Sequence, residues 1–308
     1  MDFNHKTVLL KEAVDLLDIK PEGIYIDGTA GGGGHSREIL SRLNSKGKLI
    51  SIDKDPDALK VCTQRLSEYE NSIICESDFS NFDLVLEKLN IQKVDGILLD
   101  LGVSSHQIDT ADRGFSFHQD AKLDMRMSQK GISAFEVVNN YSVDQLTRIL
   151  RDYGEESFAY QIAKEIDKQR KLKPIETTFE LAQIVSKCYT AKAKRNGHPA
   201  RKTFQAIRIE VNQELDNLYE FLDKCMEYLN DNGRLSIITF HSLEDRIVKN
   251  KFKELCTGCT CPPDFPVCVC GKKPKAQLIN KKPIVPDNSQ IEDNYRVRSA
   301  KLRGIIKK

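Results

Sequence analysis

The sequence predicts an α/β fold, a parallel sheet wrapped by helices, with a small helical module inserted into it. Three observations carry that expectation. Over about the first hundred residues, short runs of strand formers alternate with helix-length amphipathic stretches, as in strand–helix–strand crossovers. From about Ile132 to Lys194 the apolar spacing is helical throughout. Only afterwards does a strand-like run return, at Leu235–Phe240.

Taken in order, Ile24–Asp27 reads as the first strand, Leu49–Asp53 as the second, Ser72–Cys75 as the third and Gly96–Leu101 as the fourth. Amphipathic stretches at Ser36–Leu43 and Pro56–Leu66 fill the first two connections, which makes the sheet parallel with right-handed crossovers. In the helical stretch, Ser142 and Gln145 have capping-box spacing ahead of Leu146, Ile149 and Leu150, and Gly154 can end that helix. A second helix carries Phe158, Ile162 and Ile166. A third, capped by Thr178, carries Leu181, Ile184, Val185 and Cys188. One long helix after Pro199 then runs from Phe204 through Ile207, Val211, Leu215, Leu218 and Leu222 to Leu229. Beyond Lys272 the prolines predict loop until a last strand at Tyr295–Ile305. The expected division is 1–110 for the first part of the α/β domain, 111–200 for the helical insertion, and 201–308 for the remainder.

The stretch "YIDGTAGGGGHS" places four glycines directly after the first strand. Glycine is costly inside regular structure. In a strand–turn–helix setting it lets a ligand approach the main chain at a helix N-terminus. The match to G-x-G-x-x-G is poor, because Gly31 and Gly33 fit but Ser36 takes the next slot, and no Gly-Lys-Ser/Thr comes after to hold a phosphate. Asp53 ends the second strand about twenty residues on, where a carboxylate accepts from ribose hydroxyls. Asp78 and Phe79 after the third strand offer an edge and a face to an adenine. This ordered set describes an adenosine ligand that needs no phosphate, and S-adenosylmethionine fits it better than NAD. Asp100, ending "DGILLD", points beyond the carboxyl edge toward the reaction site.

With 308 residues, 40% of them hydrophobic, the chain can build one large or two modest cores. No apolar run approaches the roughly 20 residues of a membrane span. The charged N-terminus does not resemble a signal peptide. Nine cysteines without a secretion signal suggest reduced thiols or a metal. These features predict a soluble cytoplasmic protein. A net charge of +2 hides two basic blocks. Lys187 to Lys202 holds six basic residues, Lys192, Lys194, Arg195 and Lys202 among them, and no acidic one; from Arg246 onward there are 15 basic and 5 acidic residues. One such block is ordinarily a solvated face, and two point to a nucleic-acid footprint. Cys256-x2-Cys259-x-Cys261-x6-Cys268-x-Cys270 places five thiols in fifteen residues. Of these, Cys259, Cys261, Cys268 and Cys270 could enclose a structural zinc, although the spacing is not a clean pair of C-x2-C knuckles.

"HKTVLLKEAVDLL", "YIDGTAGGGGHS", "DLGVSSHQID", "RGFSF", "LDMRM", "HPARKTFQAIRIEVNQEL" and "GRLSIITFHSLEDRIVK" occur in that order, with "YRVRSAKLR" near the end. The set resembles the RsmH (MraW) family of 16S ribosomal RNA cytidine-N4 methyltransferases. The resemblance implies a class I methyltransferase fold, a mostly parallel seven-stranded sheet with an inserted helical domain. It implies S-adenosylmethionine as donor and a cytidine of the decoding region, within the small ribosomal subunit, as acceptor. The family's cofactor contacts fall on Gly33, Gly34, His35, Asp53, Phe79, Asp100 and Gln107, the last implied by the resemblance alone. Neither a membrane nor a fixed oligomeric state is implied, which leaves a homodimer open.

Amine methylation needs an acceptor that turns the N4 lone pair toward the methyl group. Asp100, neighbouring carbonyls, or Ser104 and Ser105 can supply it. The diproline motif usual in amino-directed methyltransferases is missing here. An unstacked base needs an aromatic face, for which Phe115, Phe117 and Phe240 are candidates beside their ordinary role in core packing. His241 and Arg246 come after the fifth strand on the substrate edge. C5 methylation would need a cysteine nucleophile, for which Cys261 is the sole hint. A non-catalytic ribosome-assembly factor and a NAD dehydrogenase are the other readings.

Overall fold

A computed structural model describes residues 7–195, 197–259, 261 and 270–308. The chain divides into two compact units, residues 1–102 with 215–308, and residues 103–214. The sequence pattern alone puts these boundaries at 110/111 and 200/201. The chain leaves the sheet sooner, right after the fourth strand. It returns later, because the helix Ala200–Asn212 buries Ala200, Phe204 and Ile207 in the core of the helical unit.

The first unit is built on β1 (Ile24–Asp27), β2 (Lys48–Asp53), β3 (Ser72–Glu76), β4 (Val94–Asp100), β5 (Leu229–Thr239), β6 (Ala276–Leu278) and β7 (Lys301–Lys307). They form one seven-stranded sheet in the order β3-β2-β1-β4-β5-β7-β6. Pairing is parallel from β3 to β5, and β7 runs antiparallel to both β5 and β6. The expected mostly parallel sheet is present. Leu98 of β4 joins a cluster with Leu9, Val14, Leu17, Ile39 and Leu40. Its neighbours Ile97 and Leu99 point the opposite way and are also fully buried. The sheet is therefore covered on both faces, as parallel sheets require. Strand order reverses where β1 meets β4, with Ile26 opposite Ile97. Ligands of open α/β sheets sit beyond the carboxyl ends at such a reversal.

Several elements differ from the sequence expectation. The single long helix is two, Ala200–Asn212 and Glu214–Tyr228, parted by Gln213 in a left-handed conformation at φ 51°. A continuous apolar stripe does not reveal such a break, because spacing continues across it. Leu229 opens β5, opposite Val94, instead of ending a helix. Tyr295–Ser299 is a short 3-10 turn capped by Asn294, so the last strand starts only at Lys301. The proline-rich tail contains β6 and a helix at Asn288–Asp293, begun by an Asp287–Gln290 capping box.

The helical unit has its own core, with Leu146, Ile149 and Leu150 from one helix meeting Ile162, Ile166, Leu181, Val185 and Ile207. The Ser142–Gln145 capping box forms as expected. The third helix is capped by Thr177, one residue earlier than its spacing suggests. Thr178 is instead buried, donating to the carbonyl of Gln119 at 2.7 Å. Gly154 is needed for closeness, since a Cβ there would stand 2.6 Å from the carbonyl of Leu150. Asn212 ties "LDMRM" to this unit. It accepts from the amide of Met127 and donates to the carbonyl of Met125, both at 2.8 Å.

Candidate cofactor and substrate site

Three apolar strands in the middle of the sheet, β1, β2 and β4, each end in an aspartate. Each of the three acids meets its burial differently. Asp27 is fully buried, accepting from the Ser36 hydroxyl at 2.7 Å and the Thr29 amide at 3.3 Å. Burial pushes its carboxyl up to about 6 despite those donors. Asp53 accepts from the amides of Gly31 at 2.7 Å and Asp55 at 2.9 Å, one on each oxygen. A carboxylate oxygen has two lone pairs, so both oxygens can still accept from a ribose. Asp100 differs: its Oδ1 is buried and, among the described residues, has no hydrogen-bond partner. Burial first, then the charges of Asp27 and Glu244, raises its carboxyl well above the usual range. Its position is set from the main chain, where its amide donates to the Thr29 hydroxyl at 2.6 Å.

The glycine turn links these ends. Gly31 and Gly33 adopt φ of 50° and 77°, which disfavour any residue with a Cβ. Gly34 is confined by sterics, because a Cβ there would lie 1.8 Å from the Thr7 hydroxyl. Part of the glycine requirement therefore comes from the protein itself rather than from a ligand. Asp53 holds the turn by its bond to Gly31. Phe79 lies next to it, its Cβ 3.3 Å from where a Gly28 Cβ would be, and its ring meets Phe221 edge-on.

His35 is the second residue of the helix Gly34–Arg42 that follows the turn, and it is buried. Its Nε2 faces the carbonyl of Val8 at 3.1 Å, and a carbonyl only accepts, so Nε2 carries the proton. Burial lowers the imidazole to about 4, so the ring is neutral and Nδ1 bears a lone pair. That atom stands 3.8 Å from Asp100 Oδ2, too far for a hydrogen bond. His35 thus anchors the N-terminal segment and lines the space beside Asp100.

The sequence pattern of the MraW methylase family matches residues 2–308. The chain belongs to this family. A ribosomal RNA small subunit methyltransferase H from Clostridium botulinum is 57% identical over 304 residues, 98% of each chain. Relatives of the same description from Lachnospira eligens and Ruminiclostridium cellulolyticum are 55% and 53% identical. The first aligns over 98% of this chain and 97% of its own length, the second over the whole of both. The seven-stranded, mostly parallel sheet is the one that the sequence resemblance led us to expect.

Within this MraW methylase, several predicted site residues have structural partners. Ser104 and Gln107 form a capping box, the Ser104 hydroxyl accepting from the Gln107 amide at 3.2 Å and Gln107 Oε1 from the Ser104 amide at 2.9 Å. Sequence reasoning found the capping spacing at Ser142 and missed it here, although the same S-x-x-Q signal was available. Ser105 is the first residue of that helix. Phe115 is buried in the helical core, a placement that corrects its reading as a base-stacking face. Phe117 is half-buried and stacks on His198, ring centroids 4.3 Å apart. His241 caps the helix Ser242–Cys256, its Nδ1 facing the Glu244 amide, while Glu244 accepts from the Phe240 amide at 2.8 Å. Arg246 is exposed on the same helix.

Among the basic residues, Lys192, Lys194 and Arg195 are exposed, the two lysines on a short helix and Arg195 just after it. Lys202 donates to the Glu155 carbonyl at 2.7 Å and so helps hold the helical unit. Arg303 and Lys301 clasp Asp245 at 2.8 and 2.9 Å, which removes Arg303 from a free basic surface. Cys259, Cys261 and Cys270 come together, with sulfurs within 4.8 Å of one another. Cys268 lies outside the described residues. Sequence reasoning missed Asp27 and Thr29. The recurring apolar-run-then-aspartate pattern was the available signal.

Proposed function

We propose that this protein transfers the methyl group of S-adenosylmethionine to the exocyclic N4 of a cytidine in the decoding region of 16S ribosomal RNA, with Asp100 orienting the amine. The observation that carries the reading is the buried Asp100 Oδ1, without a hydrogen-bond partner among the described residues, at the carboxyl end of β4 where strand order reverses. An unsatisfied buried acceptor costs about 1–3 kcal/mol, so it calls for a donor from a ligand. A cytosine amine supplies two.

The residues present fit the donor molecule. Asp53 retains lone pairs for the ribose hydroxyls, Phe79 offers a face to adenine, and the Gly31–Gly33 turn brings main chain close. S-adenosylmethionine supplies an electrophilic methyl group on a sulfonium. Asp100 accepts one N4–H and turns the nitrogen lone pair out of conjugation with the ring. As N4 gains the methyl group it must lose a proton. A carboxyl raised by burial and by two neighbouring acids is suited to hold that proton. Ser104 and Gln107, engaged with each other in a cap, position the chain just after β4.

Lys192, Lys194 and Arg195 supply phosphate contacts, which position RNA without reading sequence. The substrate is the small ribosomal subunit in the cytoplasm. Among the described residues no helix is long and apolar enough to cross a membrane. The test is mass spectrometry of nucleosides from 16S RNA after incubation with protein and S-adenosylmethionine. N4-methylcytidine at one position is the expected product. Finding 5-methylcytidine instead, or no new nucleoside on either subunits or RNA, overturns the reading.

A further inference from the structure

We propose that Cys259, Cys261 and Cys270 hold a tetrahedral zinc ion that closes the connection between the helix Ser242–Cys256 and β6. The three sulfurs lie within 4.8 Å of one another, and those of Cys259 and Cys270 are 3.7 Å apart. Two thiolates on one tetrahedral zinc, each about 2.3 Å from the metal, stand about 3.8 Å apart. The Cys261 amide also donates to the Cys259 sulfur at 3.4 Å, which draws the two residues of this C-x-C pair together.

The base of this connection is already drawn together. The Lys275 amide donates to the Leu255 carbonyl at 2.8 Å. Gly258 lies against Pro274, where a Cβ would be 3.2 Å from the proline Cδ. Both contacts bring the two ends of the connection together without crosslinking them. A metal bridging Cys259 and Cys261 on one side to Cys270 on the other supplies the missing crosslink. Three thiolates leave one corner of the tetrahedron for a further ligand.

The full-length protein, purified with reductant and without chelator, is expected to carry about one zinc ion per chain by elemental mass spectrometry. Cobalt replacing it should give the charge-transfer and ligand-field bands of a tetrahedral thiolate site. Cys259→Ser and Cys270→Ser should each lose the metal, whereas Cys75→Ser, in β3, should keep it. Circular dichroism checks that the variants fold; should they not, the cobalt spectrum of the unaltered protein decides. Protein that takes up no zinc on titration, metal retained in both serine variants, or a Cys259–Cys270 disulfide in place of metal would overturn the proposal.

Discussion

Asp100, Asp53 and Asp27 end neighbouring strands, yet each answers to a different partner, and that difference sets what a substitution should do. Asp100 has one oxygen without a donor and a carboxyl raised by burial. If it must be ionised to take the N4 proton, turnover should rise with pH through its raised pKa. Asp100→Asn should lower kcat and flatten that limb, with cofactor affinity nearly unchanged. A limb that survives in the variant assigns it to another group. Asp53→Ala should weaken S-adenosylmethionine by about 1.5–3 kcal/mol in calorimetry. It also frees the Gly31 amide, so some loss of thermal stability is expected with it. Unchanged affinity in a folded variant removes Asp53 from the cofactor. Asp27 is a matter of stability. Its folded pKa of about 6 lies above the ordinary 3.8, so the folded protein binds the extra proton between these values. Its contribution to stability is thus present at low pH and lost as pH rises through about 6, by about 3 kcal/mol. His35, lowered to about 4 from 6.5, works in the opposite sense, losing stability as pH falls through that window. Asp27→Asn should therefore gain on the unaltered protein in urea unfolding as pH goes from 4 to 6.5. Parallel stability curves would show that Asp27 titrates as it does in the unfolded chain.

At the scale of elements, the decisive features are caps and breaks. The sequence reading names Ser104 as a candidate catalytic hydroxyl, but it and Gln107 satisfy each other's amides at the start of Ser105–Asp109. Ser104→Ala should cost about 1 kcal/mol of stability, the usual worth of such a cap, and leave kcat within a factor of a few. A large fall in kcat at unchanged melting temperature would instead make the hydroxyl catalytic. The same spacing rule is legible at Ser142, where two turns of apolar periodicity support it. At Ser104 the helix has only five residues, too short to show a period. Gln213 is the converse case. One residue at positive φ ends a helix while the apolar spacing continues, so no pattern of side chains could reveal it.

For the whole molecule, charge is the relevant property. The exposed Lys192, Lys194 and Arg195 lie in a segment with no acidic residue. Replacing these three with alanine should reduce the slope of log affinity against log salt by about 2 on small subunits. It should also raise KM while leaving S-adenosylmethionine affinity as it was. An unaltered slope would mark the segment as merely solvated. Lys202 is left out, since it binds the Glu155 carbonyl and its loss would disturb the helical unit itself. Assembled subunits should be methylated faster than naked 16S RNA, because the target cytidine belongs to folded RNA. Equal rates on both would remove the subunit from recognition.

Asp53, Phe79 and Asp100 were legible in the sequence because their positions are set by strand rhythm alone: a parallel strand is a short apolar run, and the residues at its end lie on the carboxyl edge. The family resemblance added Gln107 and the neighbours of Gly33 for the same reason, since motif order is a property of the chain. The contacts of these residues were not legible. Phe115 and Phe117 are two residues apart in "RGFSF", yet one is core and the other stacks on His198, more than eighty residues away in sequence. Arg303 reads as a free charge in the sequence, and only folding places Asp245 beside it. The sequence by itself determined the order of elements, the acids at the strand ends and the net charge of each segment, all of which depend on local spacing and composition. Only the tertiary structure decided which oxygen of Asp100 lacks a donor, which imidazole is neutral and which thiols meet, because burial and partnership depend on residues distant in sequence.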